Sequence, residues 1–424
     1  MRIFPLPDSN PAGRKRIALP LPIPFFCHAH MDRLETFWET SNPSLGSLGV
    51  YEMTDEQFIF RKAVPEDNER LIDLARRCPM KGQFEMYTDR NPDFFATNRL
   101  QGDVAHVQVV ERSNGQIVGC VAYTERTEKR DGKDVKVLHI GDMRTDPDLR
   151  RTRIAAKLVD TYRDMLYSGR YDHGIVEILQ GNEAAIGLNK LLGEDFHVGT
   201  EGKINFYQLF PVRTYWPSKA WTYRRATPFD IPVIASLMQK AYGDAPGASD
   251  FSPDWLRKQL TLHPSFTIAD LWVAVDKYQT IVASAGLWDQ TSFRRTVASR
   301  FNASMKKTVR ALALLGLLWK LPPVPKEGQA LTYLFIRWPV ASLDNIEALA
   351  GLNRFLSNRV RKTGKHQFLS IGFNEHDPLQ ASVEGMTKLK ENIQVFSHWL
   401  KASDSYQDFT AHPLRKRFVD LTLI

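Results

Sequence analysis

Phe58-Ile-Phe-Arg-Lys-Ala-Val-Pro-Glu-Asp67 returns as Trp221-Thr-Tyr-Arg-Arg-Ala-Thr-Pro-Phe-Asp230. At a spacing of 163 residues Arg61 falls on Arg224, Ala63 on Ala226, Pro65 on Pro228, Asp67 on Asp230 and Leu74 on Leu237. Each copy spells a strand, a turn and a helix with Pro in its first turn and an acid near its N-terminus, where the helix dipole favours negative charge. Further along, Gln116-Ile-Val-Gly-Cys-Val-Ala122 meets Thr280-Ile-Val-Ala-Ser-Ala-Gly286 at a spacing of 164. Two separated matches in nearly one register read as a tandem duplication.

Outward from the first copy, Pro65–Arg77 reads as an amphipathic helix with Leu71, Leu74 and Ala75 inward. A second helix is expected at about Pro92–Leu100, and a hairpin of Val104–Glu111 with Gln116–Thr124 around Ser113-Asn-Gly115. A long strand at Val135–Arg144, a helix at Arg151–Tyr167, a strand at Gly174–Gln180 and a helix at Glu183–Leu192 follow. Strands near His197 and at Asn205–Leu209 close the half. The second half repeats the order, with strands expected near Trp221, Leu271, Thr280, Leu331, Gln367 and Arg417. An antiparallel start and a β–α–β crossover predict an α/β fold, each half a mixed, mostly antiparallel sheet flanked by helices. The expected divisions are a Pro-rich leader at 1–52, domains at 53–210 and 221–424, and a linker at 211–220. The leader reads as unfolded rather than as a signal peptide, because prolines interrupt its apolar run; Met53 is a candidate start.

The chain has 424 residues, more than one core accommodates, and is 43% apolar and 25% charged, which excludes a disordered class. A net charge of +8 favours anionic partners such as nucleic acid, an anionic membrane surface or a phosphate-bearing cofactor. Cys27, Cys78 and Cys120 form no CxxC pair, so a disulfide scaffold or Cys-rich zinc site is excluded and a reducing, cytoplasmic setting is expected. The longest apolar run, Ala311–Trp319, is about half of what spans a bilayer.

Thr145-Asp-Pro-Asp-Leu-Arg-Arg-Thr-Arg-Ile-Ala-Ala-Lys-Leu158 follows the long strand. With the Arg-x-Ala-x-Pro-x-Asp opening, it resembles the GNAT superfamily of acyl-CoA-dependent N-acetyltransferases, in a tandem two-domain form. Members carry Arg/Gln-x-x-Gly-x-Gly/Ala after their fourth strand, and here Arg150, Arg153 and Ala155 hold those places. The resemblance implies that Arg150, Arg151, Thr152, Arg153, Ile154, Ala155 and Ala156, with Thr145 before them, cradle the pyrophosphate of acetyl-CoA. Backbone amides that open a helix suit an anion. Arg153 replaces the usual glycine; it keeps its amide and adds a charge, or it crowds the loop. Asn182-Glu-Ala-Ala-Ile-Gly-Leu-Asn-Lys-Leu-Leu-Gly193 is similar to the family's Asn-x-x-Ala-Ile-x-Leu-Tyr-x-x-x-Gly. It adds Asn182 and Asn189 to the implied donor site. Asn189 stands where a Tyr often protonates the departing sulfur, a role Asn cannot fill; Tyr162, Tyr171 and Tyr207 are possible substitutes.

For a base, the resemblance points to His139, whose imidazole titrates near neutral pH. Asp142, expected on the opposite face by strand alternation, and Glu177 are further candidates. A main-chain amide near Met143 is implied to polarise the thioester carbonyl. No ligand cluster with metal spacing is visible, so no metal is expected. The second half lacks the phosphate-loop pattern after its fourth strand and is expected to shape the acceptor cleft.

An insertion at 290–326 carries Arg294, Arg295, Arg300, Lys306, Lys307, Arg310, Lys320 and Lys326 and no acid. Phe293, Val297, Phe301, Met305 and Val309 recur every four residues and predict a helix with one apolar stripe. Its basic face is either solvated or a dock for an acidic partner, such as an acyl carrier protein or an anionic membrane; nucleic acid fits least. The sequence therefore points to transfer of an acetyl or other acyl group from acyl-CoA to a small-molecule or peptide amine. The alternatives are a catalytically inactive binding or scaffold protein of this fold, and a transferase using another carrier.

Overall fold

The computed structural model describes residues 58–80, 84–150, 152–216, 218–307, 309–310, 322–411 and 417–424. The leader 1–52, Met53, Arg151 and Lys320 lie outside them. Strands β1 (Phe58–Lys62), β3 (Val104–Arg112), β4 (Ile117–Arg130) and β5 (Lys133–Thr145) run antiparallel. Helix α1 (Asn68–Arg77) follows β1, and α2 (Ala96–Leu100) precedes β3. Helix α3 (Ile154–Tyr167) then carries the chain across to β6 (His173–Leu179), parallel to β5. After α4 (Glu183–Leu188), one long strand β7 (Phe196–Leu209) stands where two were expected.

The second half repeats this with β8 (Thr222–Arg225), α5 (Ile231–Tyr242), α6 (Pro253–Leu262), β9 (Leu271–Val275) and β10 (Ile281–Trp288). Strand β13 (Tyr333–Ala341), helix α7 (Ile346–Thr363) and strand β14 (Phe368–Asn374) form its parallel crossover. The repeat extends to side-chain chemistry. Arg61 pairs Asp67 at 2.7 Å and Arg224 pairs Asp230 at 2.7 Å. Each Asp also accepts the main-chain amide three residues before it, Val64 or Thr227. That reciprocal cap is why the shared Arg-x-Ala-x-Pro-x-Asp motif makes the same strand-to-helix corner twice.

With β15 (Lys388–Leu400), all the principal strands join one 12-stranded sheet in the order β1-β3-β4-β5-β6-β15-β7-β14-β13-β10-β9-β8. The centre of that order was not foreseen. Strand β15 (Lys388–Leu400), expected near Arg417 instead, lies between β6 and β7 of the first half. Strand β7 in turn lies between β15 and β14 of the second. Each half's sheet is completed by a strand from the other. Below this junction, Val137, Ile175, Ile204, Ile393, Val395 and Leu421 form one apolar cluster drawn from both halves and the tail.

The helix expected through the insertion is corrected. Arg295–Phe301 is strand β11, which pairs with β2 (Phe84–Asp89) of the first half and with β12 (Gln329–Ala330). A bulge between Ala298 and Arg300 shifts the register, and helical geometry begins only at 303. Val297, Phe301 and Met305 are nonetheless buried. A four-residue spacing satisfies the two-residue period of a strand as well as that of a helix, so it could not decide. The basic run is also partly spent within the protein: Arg295 pairs Asp89 at 2.7 Å, and Lys306 pairs Glu327 at 3.3 Å. No helix among the described residues is long and apolar enough to cross a membrane.

Candidate functional site

Strands β5 and β6 pair only over Val137–His139 and His173–Ile175. Beyond that, β5 stays with β4 and β6 stays with β15, so the two diverge and a cleft opens between them. On its β5 wall the register jumps from Gly141 opposite Ala122 to Arg144 opposite Cys120. Asp142 and Met143 form the bulge, with Asp142 at φ 53°. The extra residue of a bulge leaves main-chain groups outside the ladder, which makes the Met143 amide a candidate donor into the cleft.

The bulge also overturns the alternation expected for Asp142. Its carboxylate accepts from Arg90 Nη2 at 2.8 Å, Asn98 Nδ2 at 3.0 Å and Arg144 Nη1 at 2.9 Å. Burial alone would raise the Asp142 carboxyl, but Arg90 and Arg144 outweigh it and hold it far below the usual carboxylate range. So engaged, Asp142 is a poor base.

His139 and Glu177 meet across the cleft, with Nε2 2.7 Å from Oε2, although the ring N–H is turned off the line between them. Glu177 also lies 3.5 Å from Arg126. Burial pushes the Glu177 carboxyl up; the adjoining His139, then Arg126 and Arg417, more than reverse this and hold it low. Of the three candidates the two carboxylates are held by cations, which leaves the His139 imidazole as the candidate base. Its Nδ1 is buried and has no partner among the described residues. The ring lies against Gly141, where an added Cβ would stand 3.0 Å from Cε1; glycine there lets the imidazole lie along the strand toward the bulge.

At the far end of β5, Thr145 leads into a short turn capped by Asp146. Arg150 and Arg153 are exposed. Arg153 has φ −75°, which requires no glycine, and the residue is exposed. Helix α3 begins at Ile154 without a side-chain cap; the Thr152 hydroxyl lies 3.5 Å from the Ile154 amide. The opening amides of a 14-residue helix, including those of Ala155 and Ala156, therefore face no capping carboxylate. Asn182 caps α4 by accepting from the Ala185 amide at 3.3 Å.

Asn189 belongs to a chain that the sequence did not show. His398 of β15 donates from Nε2 to Asn189 Oδ1 at 3.1 Å, and Tyr162 donates to His398 Nδ1 at 2.8 Å. Of the three tyrosines weighed, Tyr162 is the one joined to Asn189, and the link is a histidine of the second half. Strand exchange put His398 there, and nothing in its neighbouring residues marks it.

Burial lowers His398 to about 3, and burial with Arg337 nearby lowers His263 to about 4. The folded chain thus binds these protons less readily than the unfolded chain, whose histidines titrate near pH 6.5. Stability is full above that value and falls as pH drops below it. At pH 5 each should have lost about 2 kcal/mol relative to pH 7.5. Urea unfolding at both pH values measures this, and His398→Asn should shrink the difference. An unchanged difference in that variant would remove His398 from the account.

The second half has the same bulge with different contents. Gly286 pairs Arg337, Ser284 pairs Val340, and Trp338 takes φ 50°. Pro339 holds the place of Met143 and has no amide hydrogen to offer. The cleft beside it is filled by the segment 417–424. Asp420 accepts from Arg337 at 2.8 Å and from Trp338 Nε1 at 3.0 Å, and Leu421 packs against Gly372.

Residues 68–193 match the model of the Acetyltransferase (GNAT) family. Saccharomyces cerevisiae N-myristoyltransferase with bound myristoyl-CoA is similar in structure, with a TM-score of 0.52 at 10% identity, covering 82% of this chain and 80% of that one. A tandem GNAT protein from the clavulanic acid biosynthesis pathway, without acetyl-CoA, gives 0.51 at 11% identity, covering 82% and 100%. At such identities the likeness is one of fold. No curated protein matches by sequence. Among the described residues no cluster of His, Cys, Asp or Glu could hold a metal ion.

Proposed function

We propose that this chain, whose residues 68–193 match the Acetyltransferase (GNAT) family model, transfers an acyl group from acyl-CoA to an amine, with acetyl-CoA as the donor. The observation that carries the reading is the uncapped start of α3, placed at the end of a bulged strand beside a cleft. The amides of Arg153–Ala156 would hold the pyrophosphate, with Arg150 and Arg153 adding charge at the surface. The thioester supplies an activated carbonyl. The Met143 amide would donate to its oxygen as negative charge develops there. His139 Nδ1 would accept the proton of the attacking amine, directly or through water, while Glu177 holds the ring in place. Asn189 has no proton to give the departing thiolate.

That last point keeps a second reading in view, a protein that binds CoA without turnover. Calorimetric titration with acetyl-CoA and desulfo-CoA separates the possibilities. Wild type should bind in the micromolar range, and Arg153→Gly should bind within about threefold of it, because the exposed side chain does not obstruct the loop. Arg150→Glu should weaken binding about tenfold or more by placing an anion beside the pyrophosphate. No binding by wild type would end the CoA assignment. Binding with no acylation across an amine panel would favour the scaffold reading.

A further inference from the structure

Around the bulge, positive charge exceeds negative. Asp142 is shared by Arg90 and Arg144, and Asp89 is shared by Arg295 at 2.7 Å and Arg76 at 3.6 Å. Arg294, one residue before the Arg295–Asp89 pair, adds another guanidinium. Its Nη2 donates to a main-chain oxygen of Ile424, the last residue of the sequence, while its Nε and Nη1 are buried without a partner among the described residues. Arg90 is only 4% exposed and its Nε also lacks a partner. Burial, with Arg144 and Arg294 nearby, overrides the pull of Asp142 and lowers Arg90 to about 10. Guanidinium nitrogens left without a partner out of water are costly unless an anion joins them.

The cluster has a place in the site. Asp142 and Arg144 flank Met143 on either side in the strand, and Arg90 stacks on Phe94, 5.2 Å from the ring centroid. Arg294 comes from the second half's insertion, so both halves build this wall. Its cover is the tail, whose main-chain oxygens at Thr422, Leu423 and Ile424 are gripped by Gln290, Gln101 and Arg294. Such contacts use side-chain donors that an anionic ligand could take over.

We propose that Arg294 and Arg90 form a subsite for an anionic group, a carboxylate or a phosphate, carried by the acceptor molecule. The role in acceptor binding rests on the acyltransferase reading; the anion site itself does not. An acceptor with its anion here has its amine directed along β5 toward the Met143 amide and His139. This selects amines that bear a negative group over uncharged ones.

The test uses the full chain and two probes, inorganic phosphate and succinate, titrated while the unfolding temperature is followed. Saturable stabilisation by one or both is expected, the stronger probe identifying the anion. Half-saturation should move to about tenfold higher concentration in Arg294→Gln, the loss of a charged hydrogen bond, and should stay put in Arg257→Gln on the exposed side of α6. A response that is equal in wild type and Arg294→Gln, or that disappears in Arg150→Gln at the pyrophosphate loop instead, overturns the proposal. In the second arm, acyl transfer is compared between amines that differ only in a carboxylate or phosphate. A preference for the anionic member that Arg294→Gln abolishes is the expected result; faster transfer to the uncharged member overturns it. If phosphate follows Arg294 while no amine is acylated, the anion site stands and the acyltransferase reading falls.

Discussion

Met143→Pro should lower kcat for acyl transfer by about 10²–10³-fold, the usual effect of losing one donor to a developing oxyanion, with acyl-CoA binding nearly unchanged. The substitution removes a single hydrogen from the main chain and leaves the loop of α3 untouched. Proline is ordinarily a poor choice in a central strand, but this chain already contains the control. Trp338-Pro339 occupies the matching bulge of the second half, and Trp338 at φ 50° matches Asp142 at φ 53°. The backbone therefore accommodates proline at this point. Met143→Leu keeps the amide and should transfer acyl groups at close to the wild-type rate. Single-turnover kinetics, with the unfolding temperature as a check on folding, decide the matter. A Met143→Pro variant that folds and turns over normally would exclude this amide as the carbonyl donor.

Arg417→Met should cost about 3–5 kcal/mol, the penalty for leaving buried charges unpaired, and lower the unfolding temperature by about 3–6 °C in a chain of this length. Arg417 is 2% exposed. It touches Glu128 and lies 3.5 Å from Glu201. Arg126 ties Glu128 to Glu177 at 2.7 and 3.5 Å, and Arg130 holds Glu201 at 2.7 Å. Three guanidiniums thus balance three carboxylates, and the chain of contacts ends on His139. Burial would raise the Glu128 carboxyl, but Arg417 and Arg126 keep it low. Without Arg417 these carboxyls should protonate more readily, so the deficit against wild type should narrow as pH falls from 7 to 5. A deficit that is constant with pH would mean the loss is one of packing rather than of charge.

The corner motifs were legible because a strand, an Arg–Asp pair and a capping carboxylate are decided within seven residues, and the repeat displayed them twice. The turn after β5 and the helix that follows it were legible for the same reason. Asp142 was misplaced because a bulge depends on how β4 and β5 align, which no window along one strand contains. His398 and Arg417 were invisible as partners of Asn189 and Glu128. They are separated from them by more than two hundred residues and were read as belonging to the other half. The insertion misled because its apolar spacing fits two periods, and its partner strand β2 was not anticipated.

The exchange of β7 and β15 has a consequence for synthesis. When the ribosome has released β7, β6 still lacks the neighbour it will have in the finished sheet, since that neighbour is Lys388–Leu400. Roughly 190 residues must still be translated before β15 is complete, about 10–40 s at ordinary elongation rates. Throughout that interval the nascent first half exposes unpaired strand edges of the kind that recruit foreign strands. A chaperone that holds the chain until β15 emerges should therefore raise the yield of soluble protein more than slower expression alone.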